Sequence, residues 1–319
     1  MIKNDAPKMD LVTQVLREYL KSAALKIDRV LTGVSTYVYR VQLDENTYYL
    51  RILPEQDKSF GVEVHVHSLL RQKGVHVPEV IYFEHHNDTL GMSIMLVKEI
   101  VGSQINDCSS INEYEDIVIE AGKQLAVINQ IKVDGFGWIK RGTEETGTTL
   151  EGEKHFVHDY IYEFMDEDLF LLSENLFSKR DISLITDIFH SGSSLMSRHE
   201  SFLIHGDFDY SHIFFHNGKF TGIIDFGEIQ GNSPLYDLGH FKLHDGQSQS
   251  QRYLGFNSLV KGYNEVRELS KNDQLEIDFW ALWVGVRRLG IIYKRTWGRY
   301  HEHLIKTIKI EMDILTKKL

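Results

Sequence analysis

The stretch IHGDFDYSHIFFHNGKFTGIIDFGEIQ, residues 204–230, decides how this chain is read. It holds two carboxylates, Asp207 and Asp225, eighteen residues apart, each close to a glycine and each beside an apolar, strand-like run. Between them, Asn217-Gly218 is flanked by Phe214-Phe215 and by FTGII. Asn-Gly between apolar runs is a strong two-residue hairpin signal, because a type I′ turn needs positive φ at both central positions. A hairpin returns the chain on itself, so both carboxylates can reach one end of the same small sheet. The arrangement suits phosphoryl transfer, in which one acid accepts a proton from an attacking hydroxyl and the other holds a metal ion against nucleotide phosphates.

Protein kinases carry H-R-D, a metal-binding residue five positions after that Asp, and then D-F-G. Here His205-Gly206-Asp207 stands where H-R-D would, and Asp225-Phe226-Gly227 is a literal D-F-G. Five positions after Asp207 comes His212, where protein kinases have Asn. A lone D-F-G arises often by chance; the pair in this order, spacing and strand context carries the reading.

Together with Tyr236-Asp237 further on, the pattern HGD-x4-[N/H]-I, hairpin, IDFG resembles the aminoglycoside phosphotransferase and choline kinase superfamily. His212 in the metal position resembles the aminoglycoside 2''-phosphotransferases and the macrolide 2'-phosphotransferases, although the latter usually have D-W instead of D-F-G. The resemblance spans roughly residues 25–295 and is specific at 204–238. It implies an α+β, two-lobed protein-kinase-like fold. The small antiparallel-sheet nucleotide lobe would be residues 1–98, and the larger, mainly helical catalytic and acceptor-binding lobe residues 99–319. Asp207 would be the catalytic carboxylate, and His205 would brace its loop. Asp237 would tie that loop down.

His212 and Asp225 would hold a divalent ion. Magnesium prefers oxygen ligands, so a histidine nitrogen hints at tolerance for Mn²⁺ as well as Mg²⁺; the alternative is a His212 that bonds a phosphate or its own loop. Asp209 and Glu228 flank the motif acids and would meet ammonium groups of an acceptor, unless they are solvated loop charges. Only eight residues separate Gly227 from Tyr236, with no A-P-E. That leaves no room for a peptide-binding activation segment and points to small-molecule acceptors.

LTGVSTYVYRV, residues 31–41, supplies Gly33 and Ser35 where a phosphate loop would lie. It is not G-x-G-x-x-G, and on its own it reads as a plain β-turn. It is similar to the superfamily's G-x-S-x-x-V-Y-R-V, in which backbone N–H groups and the Ser35 hydroxyl would cover the phosphates. Arg51, at the end of YYLRI, stands where kinases place a lysine. Its guanidinium is permanently charged and offers a fork of donors to phosphate oxygens. Glu63 on the following helix is its natural partner. Val97 to Glu99 would present backbone groups to the nucleotide base, with ATP and GTP both open.

The 319 residues are 42% hydrophobic and 25% charged, enough for a sizeable core. Net charge is −11, which argues against a nucleic-acid partner and suits a cationic acceptor. Solubility alone is the plainer reading of that charge. One cysteine, Cys108, excludes an intrachain disulfide, and MIKNDAPKMD has no apolar signal region. FWALWVGV at 279–286 is too short to span a bilayer. A cytoplasmic protein away from membranes is expected, with oligomeric state open.

Helices are expected at 9–22, 58–73, 111–131, 153–173, 179–199, 250–268, 272–294 and 299–317. Strands are expected at 27–32, 36–43, 47–53, 79–84 and 91–97. A hairpin turn is expected at Asp44-Glu45-Asn46. Asp159, Glu163, Asp166, Glu167 and Asp168 read as a solvated helix face. Asn129 stands where the superfamily often has the His of a Leu-His pair before a loop like DGFGWI. Aminoglycosides lead as acceptors; macrolides, choline, a methylthioribose-like sugar or a glycated amine are alternatives, as is a nucleotide-binding regulator without turnover.

Overall fold

The computed structural model describes residues 6–22, 25–31, 36–142, 149–248 and 251–319. The chain divides into two units, the first made of residues 1–101, 140–149 and 222–227, the second of the rest.

The first unit opens with α1 (Met9–Leu20), followed by β1 (Lys26–Val30), β2 (Tyr37–Leu43) and β3 (Asn46–Ile52). Then come α2 (Gly61–Gln72), β4 (Val80–Asn87) and β5 (Met92–Lys98). The strands form one antiparallel sheet in the order β1-β2-β3-β5-β4. Alternate residues of a strand face one side. Tyr39 and Val41 of β2, with Leu50 and Ile52 of β3, are accordingly buried against Val12, Val15 and Leu16 of α1. The turn between β2 and β3 is shorter than expected. Leu43 pairs with Asn46, and Asp44, with φ of 52°, and Glu45 make a two-residue loop, so Asn46 already belongs to the strand.

The second unit contains β6 (Ser103–Gln104), α3 (Ile111–Ile128), β7 (Phe136–Ile139), β8 (Gly152–Lys154), α4 (Val157–Tyr162), α5 (Met165–Asn175) and α6 (Lys179–Met196). It continues with β9 (Phe202–Ile204), β10 (Ile213–His216), β11 (Lys219–Ile223), whose last two residues belong to the first unit, and β12 (Gln230–Asn232). α7 (Tyr236–His244), α8 (Phe256–Val266), α9 (Lys271–Ile292) and α10 (Arg299–Lys318) complete it. The expected hairpin is present: β10 and β11 are neighbours, and Asn217 and Gly218 have φ of 50° and 70°. β9, which leads into Asp207, lies in a different sheet, ordered β8-β7-β12-β9. α9 is buried almost all round, and FWALWVGV is its core-facing centre. Among the described residues no helix is long and apolar enough to cross a membrane.

Three helices depart from expectation for identifiable reasons. The segment 153–173 is broken into β8, α4 and α5. The indole of Trp283 donates to the Ile161 carbonyl at 2.9 Å, taking the acceptor that the Met165 amide would use in a continuous helix. α8 begins at Phe256 rather than 250, because the Asp245 carboxylate caps the amides of Gly255 and Phe256. α7 has no amphipathic stripe: all its residues except Lys242 are buried, which removes the 3.6-residue signal.

Candidate active site

In the first unit, Arg51 projects from β3 and pairs with Glu63, a fully buried carboxylate on α2. The same guanidinium lies 3.9 Å from Asp225 and 5.3 Å from the centre of the Phe60 ring. Asp225 is exposed and has φ of +67°, a conformation uncommon outside glycine and found at strained functional positions. A second guanidinium, unforeseen from the sequence, joins the cluster. Arg141 donates to the Gly227 carbonyl at 2.5 Å and stands 3.9 Å from Glu63.

Gly33 and Ser35 lie outside the described residues. Val97 is buried in the sheet, paired with Tyr49 and Val80. The Lys98 amide donates to Glu79 and the Glu99 amide to Thr47, so these two donors are committed within the unit. The Glu99 carboxylate accepts from the Tyr49 hydroxyl at 3.0 Å.

In the second unit, the loop after β9 is gripped from beneath by α7. Asp237, fully buried, accepts from the amides of His205 at 2.8 Å and Gly206 at 2.9 Å. Asn129, at the end of α3, donates to Asp237 at 3.2 Å and to the Leu203 carbonyl at 3.0 Å. The residue that departs from the Leu-His pattern therefore secures this carboxylate. Gly206 is required here: its φ is +82°, and a Cβ would sit 2.0 Å from the Glu228 carbonyl oxygen. His205 is fully buried, and its Nδ1 accepts from the Asp207 amide at 3.4 Å. The rings of His205 and His212 stack with centres 5.4 Å apart. His212 Nδ1 donates to the Asp207 carbonyl at 2.8 Å, a contact that orients the ring.

Asp207 itself is only partly buried. Its Oδ1 takes Nη2 of Arg288, on α9, at 2.5 Å, and His240 Nε2, from α7, stands 3.3 Å away. Burial alone would raise the pKa of this carboxyl. The contact with His240 and the charge of Arg288 outweigh it and hold the group well below the usual carboxylate range. Asp209 is turned to local use: its Oδ1 accepts from the amide of Ser211 at 2.7 Å and from its hydroxyl at 2.5 Å.

Beside this loop is a cavity of about 140 Å³. Its wall includes Gly206, Glu228 and Arg288, with the rings of Trp138, Tyr160, Tyr236 and Trp283. The cations around it are paired: Lys154 with Glu163 at 2.7 Å, Arg287 with Asp168 at 2.9 Å, and Arg288 with Asp207. The expected solvated acidic face thus fails at Asp168, which is 3% exposed and turned inward onto Arg287. Elsewhere, His199, Asp273 and Glu276 approach one another, but Arg198 already pairs both carboxylates, at 2.5 and 2.8 Å, so this is an ion-pair network.

Asn129, Arg141, His240 and Arg288 were not identified from the sequence. Two of them left a trace there: Asn129 as the departure from Leu-His, and Arg288 as one of two arginines directly after the apolar run FWALWVGV.

The fold and these residues define a kinase of the protein-kinase-like α+β class. A family model described as "Phosphotransferase enzyme family" matches residues 26–269, and the chain belongs to that family. It is a nucleotide-dependent phosphotransferase. No curated protein matches the chain in sequence. Among solved structures, it is similar to a thermostable mutant of aminoglycoside phosphotransferase APH(4)-Ia in complex with ADP and hygromycin B. The TM-score is 0.66 and the identity 14%, covering 96% of this chain and 97% of that one. A candidate fructosamine-3-kinase from Thermobifida fusca YX-ER1 gives 0.65 at 15% identity, covering 96% and 100%. The GDP complex of an aminoglycoside 2'-phosphotransferase-IIIa mutant gives 0.64 at 15%, covering 97% of each chain.

Proposed function

We propose that the chain moves the γ-phosphate of ATP or GTP to an alcohol group of a small molecule, with aminoglycosides the first acceptor class to test. The observation that carries this reading is the state of Asp207. One of its oxygens is held by Arg288, and the other makes no hydrogen bond among the described residues. That second oxygen would accept the acceptor hydroxyl's hydrogen and aim the oxygen at phosphorus. The new O–P bond forms as the bond from the γ-phosphorus to the bridging oxygen breaks, nucleoside diphosphate leaves, and the proton passes to Asp207 and then to solvent. Such transfers depend on positioning and charge more than on a strong base, which suits a carboxylate of low basicity.

Arg51, backed by Glu63, would hold the α/β-phosphates. A divalent ion would be held by Asp225, whose carboxylate is exposed, and by His212, whose ring is oriented by its own loop. Bound there, Mg²⁺ or Mn²⁺ would neutralise phosphate charge.

The acceptor assignment draws on the net charge of −11, on Glu228 in the cavity wall, and on the hygromycin B bound to a fold neighbour. Asp209 contributes less, being occupied by Ser211. A second reading, a single sugar carrying one amine such as a glycated amine, is favoured by the aromatic wall and by cations that are each already paired. The test is nucleoside diphosphate release from ATP and GTP with hygromycin B, a glycated lysine, methylthioribose, choline and a macrolide in turn. Acceptor-dependent release is expected with a sugar-bearing compound. Nucleotide binding without release, in the presence of any of these or of water, would overturn the kinase proposal and favour a regulator.

A further inference from the structure

We infer that Arg288 is a positioning residue for transfer: it fixes one oxygen of Asp207 so that the other is presented to the incoming hydroxyl. The inference rests on the kinase reading above and adds to it a residue outside the signature motifs.

The geometry is specific. Arg288 Nη2 meets Asp207 Oδ1 at 2.5 Å, and the same Nη2 is 3.3 Å from His240 Nε2. His240 is fully buried and its Nδ1 donates to the Phe208 carbonyl at 3.0 Å, so its ring is locked to the backbone next to Asp207. With Nδ1 acting as donor, Nε2 either accepts from Arg288 or donates to Asp207; both arrangements occupy the same carboxylate oxygen, Oδ1. His240 is held in turn, its carbonyl taking the His244 Nδ1 hydrogen at 2.8 Å, while His244 Nε2 meets the Tyr300 hydroxyl at 2.9 Å. Two helices, α7 and α9, therefore converge on one oxygen of a side chain that has only two, and α10 backs α7 through Tyr300.

A free aspartate carboxylate turns about its χ2 torsion, which is broad and roughly two-fold. Anchoring Oδ1 removes that freedom and leaves a single lone-pair direction for the hydroxyl. Arginine suits the task because its charge is permanent and its fork is planar. Arg288 lines the cavity beside the loop, so it acts from the acceptor side of Asp207. A misplacement of about 1 Å in such an arrangement costs roughly 10²-fold in rate.

The test compares wild type with Arg288→Gln and Arg288→Lys, reading nucleoside diphosphate release with water as the acceptor and with hygromycin B, and following unfolding by heat in parallel. The inference expects kcat to fall about 10²-fold in Arg288→Gln with nucleotide KM within about twofold. Added methylguanidinium, but not its neutral analogue urea, should restore a large part of the rate. If Arg288→Gln does not fold, Arg288→Lys takes its place, and partial retention of kcat is expected because the charge remains. Wild-type turnover that survives Arg288→Gln would overturn the inference and leave the kinase proposal intact. So would a loss in a folded variant that methylguanidinium fails to restore. A wild-type chain that releases no diphosphate in any condition would instead overturn the kinase proposal, and this inference with it.

Discussion

The two charged clusters of this molecule are held in different ways. In the first unit, charges hold one another: Arg51 is fixed by Glu63, approached by Asp225, and neighboured by Arg141, with Glu63 sealed in the interior. In the second, the backbone is the thing held. Asp237 collects two consecutive amides, Asn129 secures Asp237, and His240 takes the next carbonyl along the loop. A cluster of mutually paired charges is poised to exchange partners when a multiply charged ligand arrives. A loop pinned by its own amides keeps its shape whether or not a ligand is present. The contrast fits a division between binding nucleotide and aiming a hydroxyl.

Paired substitutions can break that contrast. Asp225→Ala should produce the largest effect, a loss of about 10³-fold or more in kcat/KM together with loss of metal-dependent nucleotide binding, because several kcal/mol of charge stabilisation disappear. Asp207→Asn should lower kcat by about 10²-fold or more and leave nucleotide affinity nearly unchanged. Calorimetric titration with nucleotide and Mg²⁺ or Mn²⁺ separates the two. Equal losses of nucleotide affinity in both variants would erase the proposed division.

Asp237→Asn probes the pinned loop. The amide side chain keeps the shape but loses an acceptor facing the His205 and Gly206 amides. An unsatisfied buried donor costs about 1–3 kcal/mol, so unfolding in urea should show a loss of about 2 kcal/mol. Activity should fall with it, since the same amides set the position of Asp207. An unchanged midpoint would mean that the loop keeps its shape without this carboxylate.

The parts legible in the sequence were those carried by local pattern. Asp207, Asp225 and Asp237 stand in short motifs that single them out, and Asn217-Gly218 dictates its own turn. The parts not legible are those that distant helices supply. Nothing local marks Asn129 as the partner of a residue 108 positions away, or His240 as a neighbour of Asp207. α7 escaped because burial on every side erases helical periodicity. The break after Tyr162 depends on the indole of Trp283, 122 positions downstream of the carbonyl it occupies. Tertiary contacts of this kind override propensity, and a single sequence does not display them.

Asp168 offers a smaller test, confined to the second unit. Burial pushes its pKa up to about 6, against the pull of Arg287. The unfolded chain releases this proton near the ordinary carboxylate value of about 3.9. Between those values the folded protein holds a proton that the unfolded chain has lost, so stability should decline as pH rises from about 4 to about 6 and then level off. The decline due to this group should be about 3 kcal/mol, from roughly 1.4 kcal/mol per pH unit. Asp168→Asn should flatten that part of the profile in urea titrations across the range. A slope that persists in the variant would assign it to other groups.

The smallest expected effect concerns the acceptor. Glu228 lines the cavity, whereas Asp209, its counterpart beside the other motif acid, is bonded to Ser211. For a polyamine sugar, Glu228→Gln should raise acceptor KM about tenfold, because one charged hydrogen bond contributes about 1.5–3 kcal/mol. Nucleotide KM should stay nearly constant. Asp209→Asn should raise acceptor KM less, since its carboxylate already serves its own turn. Acceptor KM should also rise with ionic strength in the wild type, as screening weakens contacts between exposed charges. An acceptor bound mainly by the rings of Trp138, Tyr160, Tyr236 and Trp283 would show neither response. Finding turnover with no salt dependence, and with KM unmoved by Glu228→Gln, would reject an aminoglycoside in favour of a neutral or singly charged sugar while leaving the phosphotransfer chemistry in place.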